Sequence, residues 1–400
     1  MAALLAVDDV IATLLARARP LVEAEQVSLA DCYGRVLAQD LVSAIDVPQA
    51  ANSSMDGYAV NTRGLARGAR LPISDRIAAG AAGAALRAGT AARIFTGAPL
   101  PDGADAVVIQ EDTTLADDNT VIINEVPAPN ENVRPAGQDI RRGTVILPQG
   151  RRLTPADVAL AASVGNASLD VYRRLRVAVM SNGDELVDPP GQLAVGQIYN
   201  SNLYALLGLI RALDMEAIDL GLVRDNRAET EAALLRGAAS ADCVLTSGGV
   251  SVGEEDHVRA ALSQLGELTL WRIAIKPGKP LAFGRIGDVP FFGLPGNPVS
   301  TFVTFTMIAR PYLLKCQGAT DVLPRPLYAD AAFAMAAGSR REYVRVQLAA
   351  NASGDLQVTP FGNQGSGVMS SLAWANALAE VDVGQEVRVG DRLKIYLLGH

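Results

Sequence analysis

Thr246-Ser247-Gly248-Gly249-Val250-Ser251-Val252-Gly253-Glu254-Glu255-Asp256 follows the apolar run Cys243-Val244-Leu245 and precedes Val258, Leu262 and Leu265 at helical spacing. In order, this reads as a strand, a glycine turn and a helix start. Glycines let backbone N–H groups approach an anion, and a helix N-terminus behind them adds the positive end of its dipole. The turn is not a Walker loop, because Glu254 rather than Lys follows Gly253, and it lacks the G-x-G-x-x-G spacing of a dinucleotide site. A tight connection with an acidic first helical turn would explain it as well, so its neighbours have to decide.

The next turn is Lys276-Pro277-Gly278-Lys279-Pro280, entered through the alternation Trp271, Ile273, Ile275. Two prolines stiffen a loop that presents two lysines, and continued alternation would put Arg272 on the same strand face as Lys276. A preorganised cationic rim is expected. The third turn, Leu294-Pro295-Gly296-Asn297-Pro298-Val299-Ser300, runs from a strand into a helix, with Pro298 suited to the first helical position and Asn297 to the cap.

Upstream, Val177-Ala178-Val179-Met180 leads into Ser181-Asn182-Gly183-Asp184-Glu185-Leu186 and a helix through Leu203, Leu206, Leu207 and Ile210. A strand near 217–220, Asp225-Asn226 and a helix through Leu234 and Leu235 come next. Repeated βα units of this length imply a doubly wound parallel sheet. Ligands of such sheets bind beyond the carboxyl ends of the strands. Glu185, Asp225, Asp256, Lys276 and Pro295 all follow strands and should gather at that edge. The alternative is that Asp225 caps a helix and Glu185 fills a loop.

Together S-G-G-V-S-V-G-x-x-D, K-P-G-K-P and L-P-G-N-P-V-S resemble the molybdopterin molybdenumtransferase family, MoeA and the E domain of gephyrin. Ser54-Met55-Asp56-Gly57-Tyr58-Ala59, Thr96-Gly97-Ala98-Pro99, Gly137-Gln138-Asp139-Ile140-Arg141-Arg142-Gly143, and Gln364-Gly365-Ser366 with Arg345 upstream, extend the resemblance over nearly the whole chain. Ser181-Asn182 departs slightly from the family pattern before Gly-Asp-Glu-Leu, with Asp184 and Glu185 kept.

Composition sets the outer bounds. Four hundred residues exceed one typical domain, and 49% hydrophobic content is ample for packed cores. A net charge of −8 argues against nucleic acid or an anionic membrane as the main partner. No apolar run reaches the roughly 18 residues of a membrane span, and no signal-peptide pattern opens the chain. Cys32, Cys243 and Cys316 are scattered and odd in number, which fits a reducing cytoplasm better than a disulfide framework. His257 and His400 alone leave little for a histidine-based metal site or triad.

The flanks differ from the centre. Val7, Val10, Ile11, Leu14 and Leu15 predict an opening amphipathic helix. Residues 46–139, rich in proline, glycine and short apolar runs, read as a β-rich domain. Beyond residue 323, strands near 327–334, 342–348, 356–361, 378–383 and 391–398 predict a C-terminal β-barrel or sandwich. The resemblance implies that 1–45 and 140–172 form an N-terminal helix and discontinuous linker domain. It implies too that 46–139 is inserted into this domain, that 173–322 is the α/β molybdopterin-binding domain, and that 323–400 is the barrel.

From residues alone, the central edge collects carboxylates (Glu185, Asp225, Asp256), cations (Arg272, Lys276, Lys279) and a glycine turn. Hard carboxylate oxygens suit Mg²⁺, and lysines beside a glycine turn suit phosphate or another tetrahedral oxyanion. Metal-assisted chemistry on a phosphorylated or nucleotidyl ligand is favoured. The resemblance implies more: insertion of molybdate into adenylylated molybdopterin with Mg²⁺ and release of AMP. It assigns catalytic roles to Asp56, Thr96, Asp139, Glu185, Asp225 and Asp256, with Glu185 and Asp256 on the metal. Substrate contacts fall to Gly248, Gly249, Ser251, Arg272, Lys276, Lys279, Pro295, Pro298, Arg345 and Ser366. It also implies a homodimer whose β-rich domain reaches the other subunit's site, and contact with the molybdopterin adenylyltransferase. A molybdopterin adenylyltransferase activity and a non-catalytic pterin-binding scaffold are the alternatives.

Overall fold

In the computed structural model, residues 4–116, 118–249 and 257–398 are described. The chain forms two compact units, Met1–Gln39 with Gln149–Pro155 and Ser168–His400, and Asp40–Pro148 with Ala156–Ala167.

In the first unit a six-stranded sheet runs in the order Glu216–Val223, Arg176–Asn182, Cys243–Ser247, Val289–Leu294, Pro280–Ile286, Gly266–Arg272. The first four strands are mutually parallel, and the last two add antiparallel pairings at one side. Strand side chains alternate between faces, so each apolar strand feeds two cores. Val177 and Val179 pack with Leu206 and Ile210 of the helix Ser201–Ala212. Ala178 and Met180 pack with Leu234 of Arg227–Ser240 and Val258 of His257–Leu265. This is the doubly wound sheet read from the sequence.

A second sheet of the same unit closes on itself: Arg341–Ala350, Leu356–Pro360, Leu327–Ala331, Arg392–Leu397 and Ala377–Val381 pair in order, and the last returns to the first. Every second residue points inward, as with Val344 and Val346, Ala377 and Ala379, Leu393 and Ile395. The C-terminal region is therefore a five-stranded barrel. The opening helix spans Val7–Arg17, with Val7, Val10 and Leu14 in the main core. Ala24–Ser28 pairs with Ser168–Tyr172, joining segments that the inserted stretch separates in sequence.

The second unit carries a six-stranded sheet in which Gly57–Val60 lies between Ala91–Ile94 and Ala106–Ile109. Its two faces bury alternate residues, Tyr58 and Val108 on one side, Ala59 and Val107 on the other. Among the described residues no helix is long and apolar enough to cross a membrane.

Candidate active site

The carboxyl edge of the parallel sheet opens into a cleft of about 320 Å³, whose lining includes Asn182, Glu185, Asn202, Ser247, Gly248, Asn297 and Pro298. Asn182 ends its strand and ties it to the next, its Nδ2 donating to Val223 O at 3.2 Å and Arg224 O at 3.3 Å. The turn beyond favours glycine, because Gly183 has φ of +152°, which side chains rarely adopt. The Glu185 carboxylate itself makes no hydrogen bond or ion pair among the described residues. Asp225 N donates to Asp184 Oδ1 at 3.1 Å, which couples the two acidic turns. Asn226, and not Asp225, caps the following helix by accepting from Glu229 N at 2.8 Å, so capping does not account for Asp225.

Gly248 and Gly249 have φ of +90° and +68°, and their backbone packs so closely that a Cβ would lie 2.7 Å from Asn182 O or 2.5 Å from Val258 Cγ2. The Gly248 N–H is committed to Leu294 O at 3.1 Å, so it joins two strands rather than facing a ligand. Ser251 and Asp256 lie outside the described residues.

In the third turn Pro298 opens the helix Pro298–Thr304, but Asn297 makes no side-chain cap bond and lies on the cleft wall. The turn is held instead by Thr301 Oγ1, whose single proton lies within reach of both Asn297 O and buried Pro295 O. Asn202 spans the second wall: Nδ2 donates to Ser247 Oγ and to Gly296 O, both at 2.7 Å. The Gly296 carbonyl can only accept, which fixes the amide's orientation. Asn202 Oδ1 is left buried without a partner among the described residues.

The cationic turn departs from the expected strand. The strand stops at Arg272, and Ile275–Lys276 pairs with Arg341–Glu342 at the edge of the barrel sheet. Arg272 and Lys276 therefore do not share a strand face. Lys276 Nζ is paired with Glu342 Oε1 at 2.9 Å, with Glu342 nearly buried. Ile273 N donates to Lys279 O at 2.9 Å, and a Cβ on Gly278 would lie 2.5 Å from Thr304 Oγ1, so this turn rests on the helix of the third.

Arg345 is 1% exposed and faces inward instead of reaching for a substrate. Its guanidinium donates to Gly365 O at 3.0 Å and Ser371 Oγ at 3.1 Å, and its backbone exchanges hydrogen bonds with the Gln364 amide. Burial without a carboxylate partner pushes its pKa down to about 10, which keeps it charged at neutral pH. It thus holds the loop that carries Ser366, and Ser366 O in turn accepts from Val299 N at 3.0 Å, beside the third turn.

Comparison with known proteins gives this arrangement a family. Residues 5–165 match the model described as MoeA N-terminal region (domain I and II), 178–315 that of a probable molybdopterin binding domain, and 328–398 that of MoeA C-terminal region (domain IV). The molybdopterin molybdenumtransferase of Haemophilus influenzae is 40% identical over 94% of this chain and 95% of its own. The chain belongs to the MoeA family. Molybdopterin molybdenumtransferase 2 of Mycobacterium tuberculosis is 35% identical over 97% of both chains. The crystal structure of a molybdopterin biosynthesis MoeA protein from Pyrococcus horikoshii superposes with a TM-score of 0.83, at 31% identity and covering 100% of both chains.

In this MoeA chain the remaining motif residues stand in the second unit. Asp56 Oδ1 accepts from the Thr96 N–H and hydroxyl, both at 2.8 Å, and these bonds hold its carboxyl below the usual range. Asp139 is exposed, its N–H bonded to Val47 O at 2.9 Å. Elsewhere burial raises all three cysteine thiols, Cys316 to about 12 and Cys243 beyond its ordinary value, so none is poised as a nucleophile. Among the described residues no three His, Cys, Asp or Glu side chains group to hold a metal.

Asn182, Asn202 and Glu342 are site residues that the sequence reading passed over. The polar run Asn200-Ser201-Asn202, directly after Ile198–Tyr199 and at a helix start, was the available signal for the second. Nothing in the sequence singled out Glu342, which meets Lys276 only through pairing across 66 residues.

Proposed function

We propose that this chain inserts molybdate into adenylylated molybdopterin and releases AMP, giving molybdenum cofactor. The observation that carries the reading is the cleft at the carboxyl edge, lined by residues of 182–186, 198–202, 247–248 and 296–298, all within the stretch that matches the molybdopterin-binding model. The names of the full-length relatives support the transferase over an adenylyltransferase or a scaffold.

Glu185 fits a cation ligand: a hard, uncommitted carboxylate on the cleft wall. Mg²⁺ held there, with Asp256 as companion, would neutralise phosphoanhydride charge. Asp225 stands beside it through the Asp184 tie. Lys276, Lys279 and Arg272 bind oxyanion oxygens, Lys276 exchanging Glu342 for the ligand. The Gly248-Gly249 turn, Pro295, Pro298 and Ser366 shape the walls, Ser366 through the loop that Arg345 anchors. Asp56, Thr96 and Asp139 act on the site of the other subunit in a homodimer. The setting is the cytoplasm, with pterin delivered through contact with the adenylyltransferase.

The test is AMP release from adenylylated molybdopterin by the purified chain, with and without molybdate and Mg²⁺. Release that requires both is the expected result. Binding without release would put a scaffold in its place, and ATP consumption with free molybdopterin would put an adenylyltransferase there. Mixed dimers of Asp56→Ala and Asp225→Ala subunits should regain part of the activity; failure to do so removes the shared site.

A further inference from the structure

The break in the strand at Arg272 leaves backbone groups of 272–274 without their sheet partners, and buried groups of this kind need others. The N-terminal segment supplies them. Leu5 N donates to Arg272 O at 2.9 Å, and Leu5 O accepts from Ala274 N at 2.8 Å, a parallel bridge centred on Ile273. From the opposite direction, Arg341 N donates to Ala274 O at 2.8 Å, and Ile275–Lys276 pairs with Arg341–Glu342. The cation-bearing stretch is gripped from two directions.

One ion pair couples the grips. The Arg341 guanidinium binds Asp8 through two parallel bonds of 2.7 and 2.8 Å, a fork geometry that fixes orientation as well as distance. Its Nε also reaches Asp382 at 3.0 Å, so the guanidinium keeps an acidic partner if Asp8 is removed. Immediately after Arg341, Glu342 holds Lys276 Nζ. Beyond Asp8, Val7, Val10 and Leu14 anchor the helix in the main core, so Leu5 is delivered from a fixed base.

We propose that Leu5–Asp8 is a positioning strap for the cationic turn, and that through Arg341 it sets where Lys276 and Lys279 meet a tetrahedral oxyanion. The proposal rests on the functional reading above, since it concerns cations that the reading places on molybdate or phosphate. Asp8 is largely exposed and Arg341 keeps Asp382 as a partner when Asp8 is removed, so the pair itself adds little to global stability. Its loss should therefore appear in binding and not in folding.

The experiment compares Asp8→Ala, Asp8→Glu, Leu5→Pro and Lys276→Ala in the full chain. The measurements are KM for molybdate and kcat in AMP release, calorimetric titration with molybdate alone, and Tm. Leu5→Pro removes the N–H given to Arg272 O. Asp8→Ala and Leu5→Pro should raise KM and the molybdate Kd by about 3- to 10-fold, the scale of one oriented charge-assisted bond, with kcat within about twofold. Asp8→Glu should restore most of the affinity. If both strap variants keep wild-type KM and Kd while Lys276→Ala raises them, the strap is refuted and the site reading stands. A lowered Tm with unchanged KM refutes it too, because the contacts are then structural only. If Lys276→Ala leaves molybdate binding unchanged, the site reading falls and takes the strap with it.

Discussion

Replacing Asn202 by Asp tests whether the cleft walls are tied by donation from a single amide. In the native chain Nδ2 gives one hydrogen to Ser247 Oγ and one to Gly296 O, both at 2.7 Å. A carboxylate in the same place can still accept from the Ser247 hydroxyl, which is free to rotate. The Gly296 carbonyl can offer nothing, so two acceptors would face each other at hydrogen-bonding distance. Gly296 is exposed, so water relieves part of the clash and its cost falls near the low end of the roughly 1–3 kcal/mol of a buried acceptor pair, whereas Asn202→Ala deletes two bonds at the low end of about 0.5–1.5 kcal/mol each.

The sign with pH follows from linkage. Facing a carbonyl, the new carboxyl has a folded-state pKa above its unfolded value of about 3.9. It folds as the acid at low pH, donating to Gly296 O. Stability is then lost as pH rises from that unfolded value through the folded one. Urea unfolding followed by tryptophan fluorescence is the assay, since Trp271 and Trp374 both lie in the first unit. Asn202→Asp should lose about 1 kcal/mol more at pH 8 than at about pH 3, below the unfolded value, while the loss in Asn202→Ala is about the same at both. A wild-type Asn202→Asp at pH 8, or a gap between the two variants that ignores pH, would refute the reasoning.

Gly249→Ala must accept φ of +68° with a Cβ 2.5 Å from Val258 Cγ2; it should lose about 1–3 kcal/mol in the same urea assay, together with most AMP release. Arg345→Lys keeps the charge and loses the fork to Gly365 O and Ser371 Oγ; hydrogen exchange at Val299 N–H should quicken at least several-fold as the Ser366 loop loosens, with the barrel amides unchanged. Asp242 is half-buried, which raises its pKa, but the two bonds from Arg173 and the Arg176 N–H outweigh burial and leave it below the usual range. Its stabilisation is present above about pH 4 and is lost as pH falls through the depressed value, so Asp242→Asn should be less stable at neutral pH and show a shallower acid limb.

The sequence carried the fold well wherever periodicity maps onto a single face. The barrel strands and the parallel sheet follow from alternation and turn residues, and the observed strands Leu356–Pro360 and Arg392–Leu397 fall within the stretches expected of them. Alternation failed at Arg272 for a physical reason. Trp271, Ile273 and Ile275 are all buried, yet they belong to a sheet, an isolated bridge and a different sheet in turn. Burial has a period, but the identity of the pairing partner leaves no trace in it. Arg345 shows a second limit: a motif marks the residue without telling whether its charge faces the cleft or the loop behind. Asn202 shows a third, since an amide that ties two turns looks in sequence like any polar residue at a helix start.

The strand Arg341–Ala350 is shared at its first residues, where Glu342 pairs with Val381 of the barrel on one side and with Lys276 on the other. Its interior residues Val344 and Val346 belong to the barrel core, while Arg341 and Glu342 complete the pairing of Ile275–Lys276. For chimeric proteins this sets a rule of exchange. A C-terminal region taken from another family member, joined at the apparent boundary near residue 323, brings its own partner for the cationic turn or none at all. The lysine turn and the first two residues of that strand have to be inherited together.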